Sequence, residues 1–192
     1  SCAIPSNLSA SNVTPTSADL NWTENGTATV WDIEYGQEGF TQGNGTTVTG
    51  VSTNPYSLTG LNAQDDYEFY VRADCAASGS AGQSPWAGPF KFSTPCAAVS
   101  VFPLTQDFDS FTARDGSLSG CQSIDNITGT CWENEATNNN MWTPRSVSTT
   151  SSSTGPSADN SGSGNFVFLE TSVCNNVSSD LYSEPVDLTS LT

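Results

Sequence analysis

Histidine is absent, and Lys and Arg together number 4 against 20 Asp and Glu, for a formal net charge of −16. Without histidine no Ser-His-Asp or Cys-His arrangement can activate a nucleophile, and Cys₂His₂ and Cys₃His zinc sites are excluded. No CxxC pair exists to build an all-thiolate site either. So few cations leave a surface that repels phosphate backbones and anionic lipid, so nucleic acid and anionic membrane surfaces are not expected as partners. Long apolar runs are missing, which argues against membrane insertion, and no stretch reads as a signal peptide. P-loop and dinucleotide fingerprints are missing too. The reading is non-enzymatic.

What is present is cysteine in even number and a surplus of Ser, Thr, Asn and Gly. Six cysteines scattered through a Lys-poor chain read as disulfides formed in an oxidising, extracellular or cell-surface space. The acidic balance suits salty or calcium-bearing surroundings, where charge repulsion is screened. A length of 192 residues suggests one or two domains, with room for a real core. The first residues already read as a domain edge, so the chain is expected to be a mature fragment of something longer, with neighbouring domains of the same chain.

The first half is a run of short strands. Ser6 to Ser9 is a short edge segment. The stretch TPTSADLNWT places Ala18, Leu20 and Trp22 on one face, and VWDIEYG alternates Trp31, Ile33 and Tyr35. A glycine-rich turn from Gly36 to Gly45 leads into the threonine-rich strand Thr46 to Val51. Leu58 and Leu61 flank the next turn. In LNAQDDYEFYVRA, Tyr67, Phe69, Val71 and Ala73 alternate behind a polar turn, and Pro85 to Thr94 closes the set with Phe90 and Phe92. Short strands separated by turn signals, without helical periodicity, predict an all-β sandwich.

The tryptophan of the second strand, the Trp31/Ile33/Tyr35 alternation and the Leu61…Tyr67 spacing together resemble the fibronectin type III domains over residues 1–95. That resemblance implies a tyrosine corner, with the Tyr67 ring buried and its hydroxyl bonded to the turn backbone. It also implies that the residue before the first strand and the residue after the Tyr67 strand share a pole of the sandwich. Cys2 is therefore expected to pair with Cys75. The loop from Ala76 to Gly88 carries no RGD.

Thr94-Pro95-Cys96 marks a boundary, after which the texture changes. Residues 96–192 hold FD near the start, a tryptophan behind local cysteines, a GP..D segment, the aromatic strand NFVFLETS and an L.S.P.DL run that offers a further strand. Ser146 to Gly164 alone could pass for a linker. The order resembles the N-terminal part of a MAM domain, a jelly-roll adhesion module, whose remaining strands would lie beyond the chain. The variant is similar to those found beside fibronectin type III repeats in large proteins of type IX-secreting bacteria. Six cysteines allow about 15 full pairings. Proximity favours Cys121–Cys131, and the remainder is Cys96–Cys174.

Calcium takes hard carboxylate, carbonyl and water oxygens. The resemblance puts Asp109 at the acid of the FE/FD motif and Asp159 in the GP..D loop, with Asp107 and Glu170 on adjoining segments. These four are the candidate ligands of a structural calcium ion; exposed acids with no ion are the alternative. Trp86, Phe40, Trp132 and Trp142 are candidates to stack on sugars or anchor a protein, the last two also reading as core. Sequons at Asn7, Asn12, Asn21, Asn25, Asn44, Asn126 and Asn176 arise readily in an Asn/Thr-rich chain, and Asp109-Ser110-Phe111 resembles a short bacterial O-glycosylation motif. The expected function is a non-catalytic segment of a modular surface protein that binds a protein or glycan on a surface or serves as a stalk. An accessory, substrate-targeting region of a secreted peptidase or polysaccharide-degrading enzyme, or a spacer that binds nothing, are the alternatives.

Overall fold

The computed structural model describes residues 2–76, 79, 82–116, 127, 130–136, 141–149, 155–169 and 178–189. Among them the chain is all strand and turn, and no helix is long and apolar enough to cross a membrane. Two compact units divide it, Ser1–Ala97 and Ala98–Thr192.

The first unit is a seven-stranded sandwich. Strands β1 (Ser6–Thr14), β2 (Ser17–Thr23) and β5 (Tyr56–Thr59) form one sheet in the order β1-β2-β5. The other sheet runs β4-β3-β6-β7, with β3 at Trp31–Gln37, β4 at Thr46–Val51, β6 at Asp66–Ala73 and β7 at Ala87–Ser93. All pairings are antiparallel. Alternation decides which residues meet: Ala18, Leu20, Trp22 and Leu58 face Ile33, Phe69 and Val71 in one continuous core. Leu20, Ile33, Phe69 and Val71 are fully buried, each contributing roughly 1.5–3 kcal/mol of transfer free energy. Trp22 packs edge-on to Trp31 at 5.3 Å between ring centroids.

Behind that core the expected corner forms. The Asn62 N–H donates to the Tyr67 hydroxyl oxygen at 3.0 Å, and that hydroxyl faces the Asp65 carboxylate. Thr94 locks the same turn, accepting from the Asp65 N–H and donating to the Asn62 carbonyl. Cys2 and Cys75 form a disulfide, joining positions 73 residues apart. Gly88, at φ +124°, lets β7 close on β6: a Cβ there would sit 2.8 Å from the Phe69 carbonyl oxygen, where the β6–β7 register slips.

Two details differ from the sequence expectation. The first strand runs to Thr14, well past Ser9, because bulges at either end, with Asn7 and Asn12 at positive φ, keep it paired with β2. Leu58 lies inside a strand, since β5 pairs with β2 from Tyr56 to Thr59.

The second unit is built from short strands. β8 (Glu133–Ala136) pairs with β11 (Ser179–Tyr182), and β9 (Thr143–Arg145) pairs with β10 (Phe166–Phe168). Val99 and Val186 form an isolated parallel bridge. Of the expected strand NFVFLETS, Phe166–Phe168 forms β10, Leu169 is outside it, and residues 170–172 lie outside the described residues. The L.S.P.DL run is not one continuous strand: β11 ends at Tyr182, and only Val186 pairs beyond it. Phe108, Phe111 and Trp132 pack edge to face at 5.3–6.4 Å. Arg145 is 1 % exposed, and its guanidinium donates to the carbonyls of Arg114, Gly116, Val147 and Ser148. A buried cation held by main-chain oxygens ties two loops together where a larger unit would use apolar contacts. Cys96 and Cys131 are both in disulfides. Cys121 and Cys174, their expected partners, lie outside the described residues, as do Glu170, Asn126 and Asn176.

Candidate functional site

Alternation along β3 and β6 puts acids opposite the apolar face, and three of them are buried: Asp32, Glu34 and Glu68. Burial of a carboxylate demands partners. Asp32 has them in the Arg72 guanidinium, the Gln83 amide and the Gly50 N–H. Glu34 accepts from the N–H groups of Gly43 and Gly45, fastening the glycine-rich turn. Phe40 closes over Gly36 and Gly45 and meets Tyr70 edge-on; Trp86 covers Arg72 at 4.5 Å from its ring centroid. Both were candidate exposed platforms. The structure corrects this, since each is half-buried and spent on covering the charged layer.

In the second unit two segments converge. Gln106 to Asp109 approaches the turn Asp159 to Gly164, and Asn165 stitches the two together. The Asn165 N–H donates to Asp109 Oδ1 at 2.6 Å, and its side-chain amide donates to the Phe111 carbonyl at 3.0 Å. Asp159 Oδ1 accepts from the N–H groups of Gly162, Ser163 and Gly164 and from the Ser161 hydroxyl. This ring of donors, led by the Gly164 amide, lowers its carboxyl from the ordinary 3.8 to about 2. Glycine at 164 is required by approach: a Cβ there would collide with Asp109 Oδ1 and, at 2.7 Å, with Asp159 Oδ2. Asp107 turns inward on its own loop, its Oδ1 accepting from the Asp109 N–H.

Beside these acids is a pocket of about 350 Å³, bordered by Gln106, Asp107 and Phe108 on one side and Asp159, Asn160 and Ser161 on the other, with Asn165 and Phe166. Phe108 sits at φ +62°, a conformation that bulky residues avoid, with its N–H capped by the Gln106 side-chain oxygen.

Of the predicted calcium ligands, Asp109 and Asp159 therefore meet around Gly164, Asp107 borders the adjoining pocket, and Glu170 is outside the described residues. Two carboxylates with amide, hydroxyl and carbonyl oxygens around them suit a hard cation by donor type. Among the described residues no three Asp, Glu, Cys or His side chains converge on one point. A cation here would thus rest on Asp109 and Asp159 plus neutral oxygens. Trp132 packs within the aromatic trio, and Trp142 donates its indole N–H to the Ser179 carbonyl at 2.9 Å. Neither is a free platform. Sequence reasoning missed Gln106, Asn160, Asn165 and Gly164. Only Gly164 carried a signal, as the residue leading the aromatic strand.

Comparison with known proteins finds a family match within the first unit. Residues 3–92 match the family model of the fibronectin type III domain. The chain is similar to the fifth fibronectin domain of Drosophila Lar at 19 % identity, covering 50 % of this chain and 100 % of that one, with a TM-score of 0.40. It is similar to the fibronectin type III domain of the human collagen alpha-1(XX) chain at 25 % identity, covering 51 % and 90 %, with a TM-score of 0.42. A third similar structure, described as a myokine, shows 22 % identity, covering 50 % and 99 %, with a TM-score of 0.41. No curated protein matches. The first unit thus carries a fibronectin type III domain, a module that is commonly non-catalytic, mediates protein interactions and, with disulfides, is typical of extracellular proteins.

Proposed function

We propose that the chain is a non-catalytic extracellular segment of a modular surface protein, presenting its second unit for adhesion to a protein or glycan. One observation carries this reading: a disulfide-bonded fibronectin type III domain precedes a second unit that keeps a pocket bordered by both polar and aromatic side chains. The second unit is proposed to be the N-terminal part of a MAM-like jelly roll, and export to be by type IX secretion. Short antiparallel strands and the meeting of the FD and GP..D loops support the MAM-like reading. The purified chain, coupled to fluorescent beads, should bind cell or matrix surfaces saturably, and soluble chain should compete. Beads that bind no better than albumin-coated ones would reduce the role to that of a spacer.

A structural calcium ion held by Asp109 and Asp159 belongs to the same proposal. It would relieve the repulsion of two carboxylates drawn together, and a ligand bound only to the folded form raises stability by mass action. The melting temperature of the second unit should rise from chelator to millimolar calcium. Equal melting in both would remove the ion.

A further inference from the structure

We propose that the pocket between Gln106–Phe108 and Asp159–Ser161 binds a neutral saccharide unit. This rests on the adhesion reading and names the ligand class for it.

The groups around the pocket select by chemistry. Two carboxyl groups, those of Asp107 and Asp159, border it, so an anion is disfavoured. An apolar guest would strip water from two carboxylates without replacing it, which is costly. A metal ion or an alkylammonium would use the acceptors alone. Yet the pocket also offers donors. Gln106 spends its side-chain oxygen on the Phe108 N–H, which leaves the NH₂ end of that amide to donate. Asn160 borders the pocket with an amide that makes no hydrogen bond among the described residues. Asn165 has the complementary arrangement, with its NH₂ engaged by the Asp109 and Phe111 carbonyls and its oxygen left to accept. Asp159 Oδ1 is saturated by four donors, which orients the carboxylate and leaves Oδ2 as acceptor.

A polyol, whose every hydroxyl both donates and accepts, satisfies such a mixed set. The two phenylalanines complete the match. Both Phe108 and Phe166 line the pocket; Phe166 is nearly buried, and Phe108 is fixed by edge-to-face packing on Phe111 and Trp132. Pre-positioned rings suit the C–H face of a sugar and lose little entropy on binding. A volume of about 350 Å³ stands at the small end of ligand sites, enough for a sugar ring or two.

The test is a titration of the full chain followed by amide NMR, in calcium and in chelator, with glucose, mannose, galactose and xylose and their β-linked disaccharides as probes. At least one should shift the amides of residues 106–108 and 159–166 saturably, with a Kd on the order of 1 mM or tighter. Asn160→Ala, at an exposed side chain, and Asp107→Asn, which keeps an acceptor for the Asp109 N–H, should each weaken binding at least fivefold at unchanged melting temperature. The proposal is overturned if no saccharide moves these amides, if the variants bind as wild type, or if butylammonium or calcium alone fills the pocket and sugars do not compete. Bead adhesion that persists while saccharide binding fails removes this pocket only. Saccharide binding without adhesion removes the adhesion reading and leaves the pocket.

Discussion

The two units of this chain keep their shape by different means. In the first, the largest fully buried side chains of the core face are Phe69, Leu20, Ile33 and Val71, and strands of four to nine residues carry them in register. In the second, Arg145, Ile127, Thr143 and Pro144 are among the most buried, and strands are three or four residues long. The first is held mainly by one continuous apolar core; the second, over its described residues, buries fewer apolar side chains and adds polar ones that fasten loops. Burial is non-directional and tolerates repacking, whereas a side chain fastening main-chain groups fails outright when its geometry is lost. Loops held this way can present a pocket of mixed donors and acceptors, which an apolar core cannot.

The contrast can be broken first at Trp22. Trp22→Ala should cost about 3–5 kcal/mol, enough to abolish the folded signals of the first unit. Melting within a few degrees of wild type would place the core elsewhere. Next comes Arg145. Arg145→Ala leaves several buried carbonyls without a donor and should cost about 2–4 kcal/mol, with the losses in amide protection concentrated at residues 114–116 and 146–148. Arg145→Lys should rescue little, because an ammonium cannot fork to carbonyls on both sides. Full rescue by lysine would mean that charge alone matters there.

The smallest effect is the sharpest in location. Because the Asp159 carboxyl is lowered to about 2 from 3.8, its stabilisation is fully present above the ordinary value and is lost as pH falls through about 2. Amide protection at Gly162, Ser163 and Gly164 should therefore hold above pH 4 and collapse toward pH 2, and Asp159→Ala should remove it at neutral pH. Protection unchanged at pH 2 would show that the turn does not depend on the carboxylate.

Most of the first unit was legible in the sequence, because alternation is a local property and a sandwich needs little more than two apolar faces. Trp22, Ile33 and Tyr67 stand where the pattern put them, and Tyr67 makes the bond its corner implies. The buried acids opposite them were not legible. Alternation marks Asp32 and Glu34 as outward-facing, and only the covering Arg72, Gln83 and glycine turn shows that outward here is still buried.

The second unit reverses the proportion. Composition and chain order determined that it is all-β, that its cysteines are oxidised and that acids crowd its loops. Tertiary structure alone decided that Asp109 and Asp159 meet at Gly164, positions 55 and 5 residues apart from it in the chain. It also decided that Asn165 joins the two loops and that the Arg145 guanidinium is buried among main-chain carbonyls. The reason is physical. Periodicity records which face a residue takes within its own strand, but hydrogen bonds between loops depend on where distant segments stop. No local pattern encodes that.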